Sequence, residues 1–456
     1  MSAEHIANGG RPDSGGSGQS MTRRDALKTG LCGAAGMMLA NRLSTEGAIV
    51  STVQEKAKAV IQLWIWGGPP HTDTFDPKPE AGYDYCGPLN KTLQTNVPGV
   101  QIGELLPELA KVADKYTIIR SMTHGNNGHA TAAYMVQTGW QPGGRVVYPH
   151  IGAITSKLKG YEAGYKGLIP PYVVLTQPQG RFSEAGYLGP KYKPFATGGD
   201  PAKQPFAVEG IVAEGISNKR QKERRELLEQ IGTFGRAMKE DPRFVTLAES
   251  EEQAYDLIMG DGSKVFDLGT EKAELRDRYG RNTFGQACLV ARRLVEQGVK
   301  FITINYQGWD THKQHFEIMR RKLPEMDKGF ATLLSDLSER GLLESTIVWW
   351  GGEFGRSPRV SWEPPWNGGR QHFGPVFSHV VAGGGFKGGM VIGSSDAKGE
   401  TVKDRPVYPW DLTSTIFRLQ GIDPKKELQH PQGFAVKRCP SKEDGVRSGG
   451  MLTEII

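Results

Sequence analysis

The stretch from Thr283 to Pro358 constrains the fold more than any other. In "TFGQACLVARRLVEQG" the residues Phe284, Cys288, Ala291 and Val295 fall on one stripe of a helix, and Gly298 offers a left-handed cap. The apolar strand "VKFITIN" follows, then the loop "YQGWDTHKQH", a long helix through "FEIMRRKLPEMDKGFATLLSDLSERG", and the strand "STIVWW" running into "GGEFGRSP". Strands that are apolar throughout are buried on both faces, and when helices separate them they pair in parallel through crossovers. "AVIQLWIWGG" from Ala59, "YTIIR" and "PPYVVLTQ" extend the pattern, and Leu105, Leu109, Val112 and Ala113 recur at helical spacing ahead of "YTIIR". The predicted class is α/β with a central, mostly parallel sheet flanked by helices. In such sheets ligands bind outside the carboxyl ends of the strands.

The 456 residues divide into a polar, Gly- and Ser-rich tail with a signal-like segment (1–58), one domain (59–440) with a charged helical insertion at about 200–280, and a tail (441–456). A formal charge of +6 over this length, without runs of Lys and Arg interleaved with aromatics, excludes nucleic acid as the expected partner. Cys32, Cys86, Cys288 and Cys439 form no CxxC pair, so no zinc ribbon is indicated, and at most one bridge among the last three. Arg23 and Arg24 precede a short Gly- and Ala-rich apolar run that is too short to span a bilayer as a mature helix. Twin arginine in that setting resembles a Tat export signal, with Met1 or Met21 as start, and implies a periplasmic or envelope-associated protein without a transmembrane helix in the mature chain.

Six of the ten histidines (His71, His124, His129, His312, His315 and His372) fall in predicted loops after strands, close to Asp, Glu, Ser or Thr. Imidazole with carboxylate suits zinc, manganese or iron, whereas an all-oxygen site suits magnesium or calcium. In "WDTH", Asp310 and His312 share a face if the loop is extended, and they serve either as ligands or as partners of one another. His71, His124 and His129 read equally well as caps on backbone carbonyls. Asp73 and Asp76 read as turn carboxylates, Asp411 as a helix N-cap, and Trp349 and Trp350 as core or pocket wall. "AGGGFKGG" reads as a turn in a hairpin-like pair of strands within "HFGPVFSHVVAGGGFKGGMVIG". It is not a dinucleotide fingerprint, so a redox enzyme loaded with a nucleotide cofactor before export is not supported.

"LWIWGGPPHTDTFDPKPE", "IIRSMTHGNNGHATAAYMVQTG", "YGRNTFGQACLVARRLVEQGVKFITINYQGWDTH", "VWWGGEFGRSPRV" with "GGRQHF", and "AGGGFKGGMVIGSSD" resemble, in order, the blocks of the domain of unknown function 1501 family. That family is described as sulfatase-like and placed in the alkaline-phosphatase-like superfamily. The resemblance implies an alkaline-phosphatase-like sheet with a divalent metal at the strand ends, zinc or manganese ahead of calcium or magnesium. It implies ligands among Asp310, His312 (or His315), Glu353 and His372, with His71, Asp73, His124, His129, His315 and Arg370 as further site residues. Three positions depart from the superfamily pattern: Trp66 and Phe354 where a metal-binding Asp and an imidazole are expected, and Gln371 where Asp commonly precedes the last His. The attacking hydroxyl would be Thr72 or Ser121, with Thr74 and Thr123 nearby, and no Cys-x-Pro-x-Arg sulfatase signature is present. Arg120, Arg356 and Arg370 are arginines that would grip an anionic group or anchor a loop carboxylate. The function implied is hydrolysis of a sulfate or phosphate ester, either a small anionic ester or a sulfated polysaccharide. The competing reading is a catalytically degenerate member acting in binding or assembly with an envelope partner.

Overall fold

The fold comes from a computed structural model, which describes residues 54–177, 184–208, 220, 223 and 261–456. The twin-arginine segment and most of the expected helical insertion lie outside the described residues.

Eight strands form the main sheet: β1 (Ala59–Ile65), β2 (Tyr116–Met122), β3 (Tyr172–Leu175), β4 (Phe195–Ala196), β5 (Phe301–Tyr306), β6 (Thr346–Gly351), β9 (Phe377–Ala382) and β10 (Met390–Ile392). Two short strands, β7 (Gly355–Arg356) and β8 (His372–Phe373), pair separately as an antiparallel ribbon. The order across the main sheet is β10-β2-β9-β6-β1-β5-β3-β4. Only β9 opposes the common direction, being antiparallel to both β2 and β6. The sequence pattern suggested that β9 and β10 form a hairpin-like pair. Instead β2 separates them, pairing antiparallel with β9 and parallel with β10. A strand apolar on both faces needs a ladder on each edge, and β2 obtains one from each.

β1 shows why the sheet is central. Ala59, Ile61, Leu63 and Ile65 enter one apolar cluster, and Val60 and Trp64 enter the other. This is the period-two alternation of a strand with helices on both sides. On the first face pack helices α2 (Thr283–Glu296) and α3 (His315–Glu339). On the second pack α1 (His129–Thr138) and α4 (Pro409–Leu419). Each fully buried Ile, Leu or Val contributes about 1.5–3 kcal/mol relative to exposure.

Other expectations need correction. The helix ahead of β2 shrinks to Pro107–Ala110 and a 3-10 turn at Ala113–Lys115, because Pro107 is tolerated only in a first turn. Tyr408, not Asp411, is the N-cap of α4; Asp411 sits three residues on and accepts from the Tyr408 N–H at 2.9 Å. Residues 441–456 do not form a tail: Leu452 and Ile455 are fully buried against α4, and Asp411 accepts from the N–H groups of Gly449 and Gly450. Cys86, Cys288 and Cys439 are buried free thiols. Trp349 and Trp350 are core. Among the described residues no helix is long and apolar enough to cross a membrane.

Candidate metal centre

Because seven strands share a direction, their carboxyl ends share one rim. The loops after β1, β2, β5 and β6 meet there, as does the loop that enters the reversed β9. Those loops deliver His129 at the start of α1, Asp310 and His312 after β5, Glu353 after β6 and His372 ahead of β9.

Three imidazoles form a row. The His372 ring lies 4.3 Å from that of His129 and 4.6 Å from that of His312, centroid to centroid. Asp310 lies along the row: Oδ1 is 3.0 Å from the Nε2 atoms of His372 and His312, and Oδ2 is 3.3 Å from His129 Nε2. Ligand atoms of His129, Asp310 and His372 all lie within 4.8 Å of one another. His312 Nε2 is 2.9 Å from His372 Nε2. Donors about 2.0–2.2 Å from a single tetrahedral ion stand roughly 3.3 Å apart, close to these separations.

The far side of each ring is fixed. His129 Nδ1 donates to Glu353 Oε1 at 2.6 Å, His312 Nδ1 to Gln371 Oε1 at 2.7 Å, and His372 Nδ1 to the Asn127 carbonyl at 2.8 Å. The Gln371 amide is oriented by its NH₂ group, which reaches Ser361 Oγ at 3.4 Å. With all three Nδ1 atoms donating, the Nε2 lone pairs point inward at one another and at a carboxylate. Only positive charge makes that arrangement favourable. At His129 a proton can supply it, since Asp310 and then Glu353 raise its pKa to about 9. At His312 burial lowers the pKa, so its neutral imidazole presents a bare lone pair toward His372. The chemistry of the donor set, three oriented imidazoles and one carboxylate, therefore fits a borderline-soft divalent cation.

Asp310 is held from behind. Arg356, fully buried, donates to Asp310 Oδ1 and to the Gly67 carbonyl, and its Nη1 reaches the Arg370 carbonyl at 3.1 Å. Burial pushes the Asp310 carboxyl up, but its contacts with His129, His372 and the Arg356 guanidinium outweigh it and hold the group well below the usual carboxylate range.

A family model matches residues 57–445. The chain belongs to the DUF1501 family, described as a protein of unknown function. Among solved structures this DUF1501 chain is similar to a protein in the alkaline phosphatase superfamily from Vibrio parahaemolyticus, with 11% identity, coverage of 82% of this chain and 69% of that one, and a TM-score of 0.36. It is also similar to PsFucS1 sulfatase from Pseudoalteromonas sp., with 14% identity, 82% and 69% coverage, and a TM-score of 0.34. The C-terminal periplasmic domain of EcEptC from Escherichia coli, solved in complex with Zn, gives 11% identity, 88% and 97% coverage, and a TM-score of 0.35. No curated protein matches the sequence.

The other residues singled out from the DUF1501 blocks lie around this centre in different roles. Glu353 is fully buried behind His129 and accepts from the Gly67 N–H at 3.0 Å, so it orients that imidazole. Asp73, His315 and Arg370 form a separate buried network. Arg370 reaches both Asp73 oxygens, at 2.9 and 3.0 Å, and His315 Nε2 reaches Asp73 Oδ2 at 2.7 Å. The guanidinium already neutralises that carboxylate, and burial lowers the His315 pKa to about 4. His71 and His124 bond backbone carbonyls, of Gly399 at 2.9 Å and Glu353 at 2.7 Å. Ser121 is buried and donates to the Arg405 carbonyl at 2.5 Å, and Thr72 is buried in the loop after β1. Among the described residues no Ser, Thr or Cys side chain hydrogen-bonds to the cluster. Arg356, Arg370 and Arg120 are committed to carboxylates and carbonyls, so none is free to grip an incoming anion. Sequence reading missed the orienting roles of Gln371 and Asn127 and the packing of Phe354 on His372, centroids 4.6 Å apart. The only sequence signal was that Gln371 and Phe354 stand where other side chains were expected.

Proposed function

We propose that this protein is an exported, metal-dependent hydrolase of sulfate or phosphate esters. The observation that carries the reading is the convergence of three oriented imidazoles and Asp310 at the ligand-binding rim of the sheet. His129, His312, His372 and Asp310 would hold the ion, zinc or manganese from the donor set, which when bound polarises an ester oxygen and lowers the pKa of water. Glu353, Gln371 and the Asn127 carbonyl keep the imidazoles in the ligating tautomer. Arg356 neutralises the charge that Asp310 shares with the centre, and Phe354 shields the rings from solvent. With Ser121 bonded to a carbonyl and no hydroxyl at the cluster, attack by water fits better than a covalent intermediate. Water adds its oxygen to sulfur or phosphorus, the ester bond breaks, and the proton leaves with the alcohol.

That same lack of a positioned nucleophile favours the second reading, a binding or assembly protein that keeps the fold. Metal analysis of protein purified without added metal, combined with hydrolysis of aryl phosphates and aryl sulfates, separates the two. Stoichiometric metal with turnover abolished by Asp310→Ala supports the hydrolase; metal-free, inert protein overturns it. Export rests on the twin arginine, and replacement of Arg23 and Arg24 by lysine should retain the chain in the cytoplasm.

A further inference from the structure

The row of histidines has an indole at each end. Trp66 lies on the His129 ring, centroids 5.6 Å apart and planes 21° apart; Trp366 stands 6.0 Å from the His312 ring at 45°. Both are half-buried, and neither indole N–H has a hydrogen-bond partner among the described residues.

Trp366 has no evident structural duty. Trp362, four residues earlier, packs against the core between Tyr83 (5.0 Å, 9°) and Phe316 (5.7 Å, 17°), whereas Trp366 joins neither apolar cluster. Its loop is nevertheless rigid. Ser361 N–H donates to the Gly369 carbonyl and Gly368 N–H to the Ser361 carbonyl, each at 2.9 Å. Gly369 is so close to the loop bearing His312 that a Cβ would fall 1.8 Å from the His312 carbonyl. A large side chain fixed beside a reactive centre, and unused by the core, is placed for a ligand.

The chemistry around it selects the ligand. The nearby arginines are buried and saturated, and Lys313 beside His312 is an exposed cation of the same loop. Beyond that lysine, the rim offers flat π faces and indole N–H donors. A sugar ring matches both, laying its C–H face on the indole and turning hydroxyls toward the N–H groups. A nucleic acid would require a basic track that the chain lacks.

We infer that Trp366 forms a stacking platform for a sugar ring that carries the ester, an inference that rests on the hydrolase reading for the ester alone. Calorimetric titration of the metal-loaded protein with a neutral galactose disaccharide tests the platform without any turnover. Trp366→Ala should weaken binding about tenfold, while Trp366→Phe should retain most of it. Phe434→Ala, a surface aromatic elsewhere, should bind like the parent. Equal unfolding midpoints for parent and Trp366→Ala show that a loss is local; if they differ, Trp366→Phe carries the test. No binding by the parent, or equal binding by parent and Trp366→Ala, overturns the platform. Sugar binding that depends on Trp366 in a protein inert toward every ester leaves the platform standing and removes the hydrolase; the converse result does the reverse.

Discussion

Gly67 shows how tightly single residues define the centre. Its N–H donates to Glu353, its carbonyl accepts from Arg356, and its φ of +113° places a notional Cβ 2.3 Å from the Asp310 nitrogen. Only glycine meets all three conditions. Gly67→Ala should therefore push Asp310 off the row and cost about 1–3 kcal/mol, read as a lower denaturant midpoint with weaker zinc binding. Glu353 acts one bond further back. Glu353→Gln keeps the shape but removes the charge facing His129, and should lower zinc affinity about 10–100-fold in a chelator competition while the fold stays intact. A loss as complete as that of Asp310→Ala would mean that Glu353 is itself a ligand.

Between elements, two buried charges join distant segments. Arg370, beside β8, clamps Asp73 in the loop after β1, and both are fully enclosed. Burial raises the Asp73 pKa, but Arg370 and His315 outweigh it, so the carboxylate stays charged. Arg370→Met would strand that charge and should destabilise the protein by about 3–5 kcal/mol in denaturant unfolding. On α3, Asp327 accepts from the N–H groups of Glu108 and Leu109, both at 2.8 Å, yet burial outweighs them and raises its pKa to about 7. An acid whose folded pKa lies above its unfolded value binds its proton more tightly when folded. Its contribution to stability is thus full below pH about 4 and is lost as pH rises through about 7. In Asp327→Asn the unfolding midpoint should fall at every pH, and the difference from the parent should shrink between pH 4 and 7. A difference independent of pH would refute the shift.

Elements were legible wherever local pattern decides structure. The apolar runs revealed β1, β5 and β6, and the 3.6-residue stripe revealed α2. The partners of β2 were not legible, since pairing depends on residues more than 250 positions away, and nothing in "AGGGFKGG" records that a third strand intervenes. At the site, Asp310 and His312 were paired by their spacing in "WDTH", while His372 entered as a ligand only through the family resemblance. His129 was one histidine among six until α1 set its direction, and Trp366, in a proline-rich loop, left no periodic trace.

At the scale of the molecule, the last residues belong to the core. Leu452 and Ile455 are each fully buried, and together contribute about 3–6 kcal/mol. A chain ending at Ser441 should lose that much and leave Asp411 without its Ser448, Gly449 and Gly450 donors. Thermal unfolding of this truncation at equal zinc loading checks the prediction, and an unchanged midpoint would show that the segment is dispensable.

β1 is the first strand among the described residues, yet its neighbours β5 and β6 begin at Phe301 and Thr346. During synthesis that greasy ribbon must wait with one edge open until Phe301 has emerged from the ribosome and the other until Thr346 has. A growing polypeptide in this condition is a client for chaperones, and any pathway that moves it while unfinished would carry an open, sticky sheet without the assembled row of histidines.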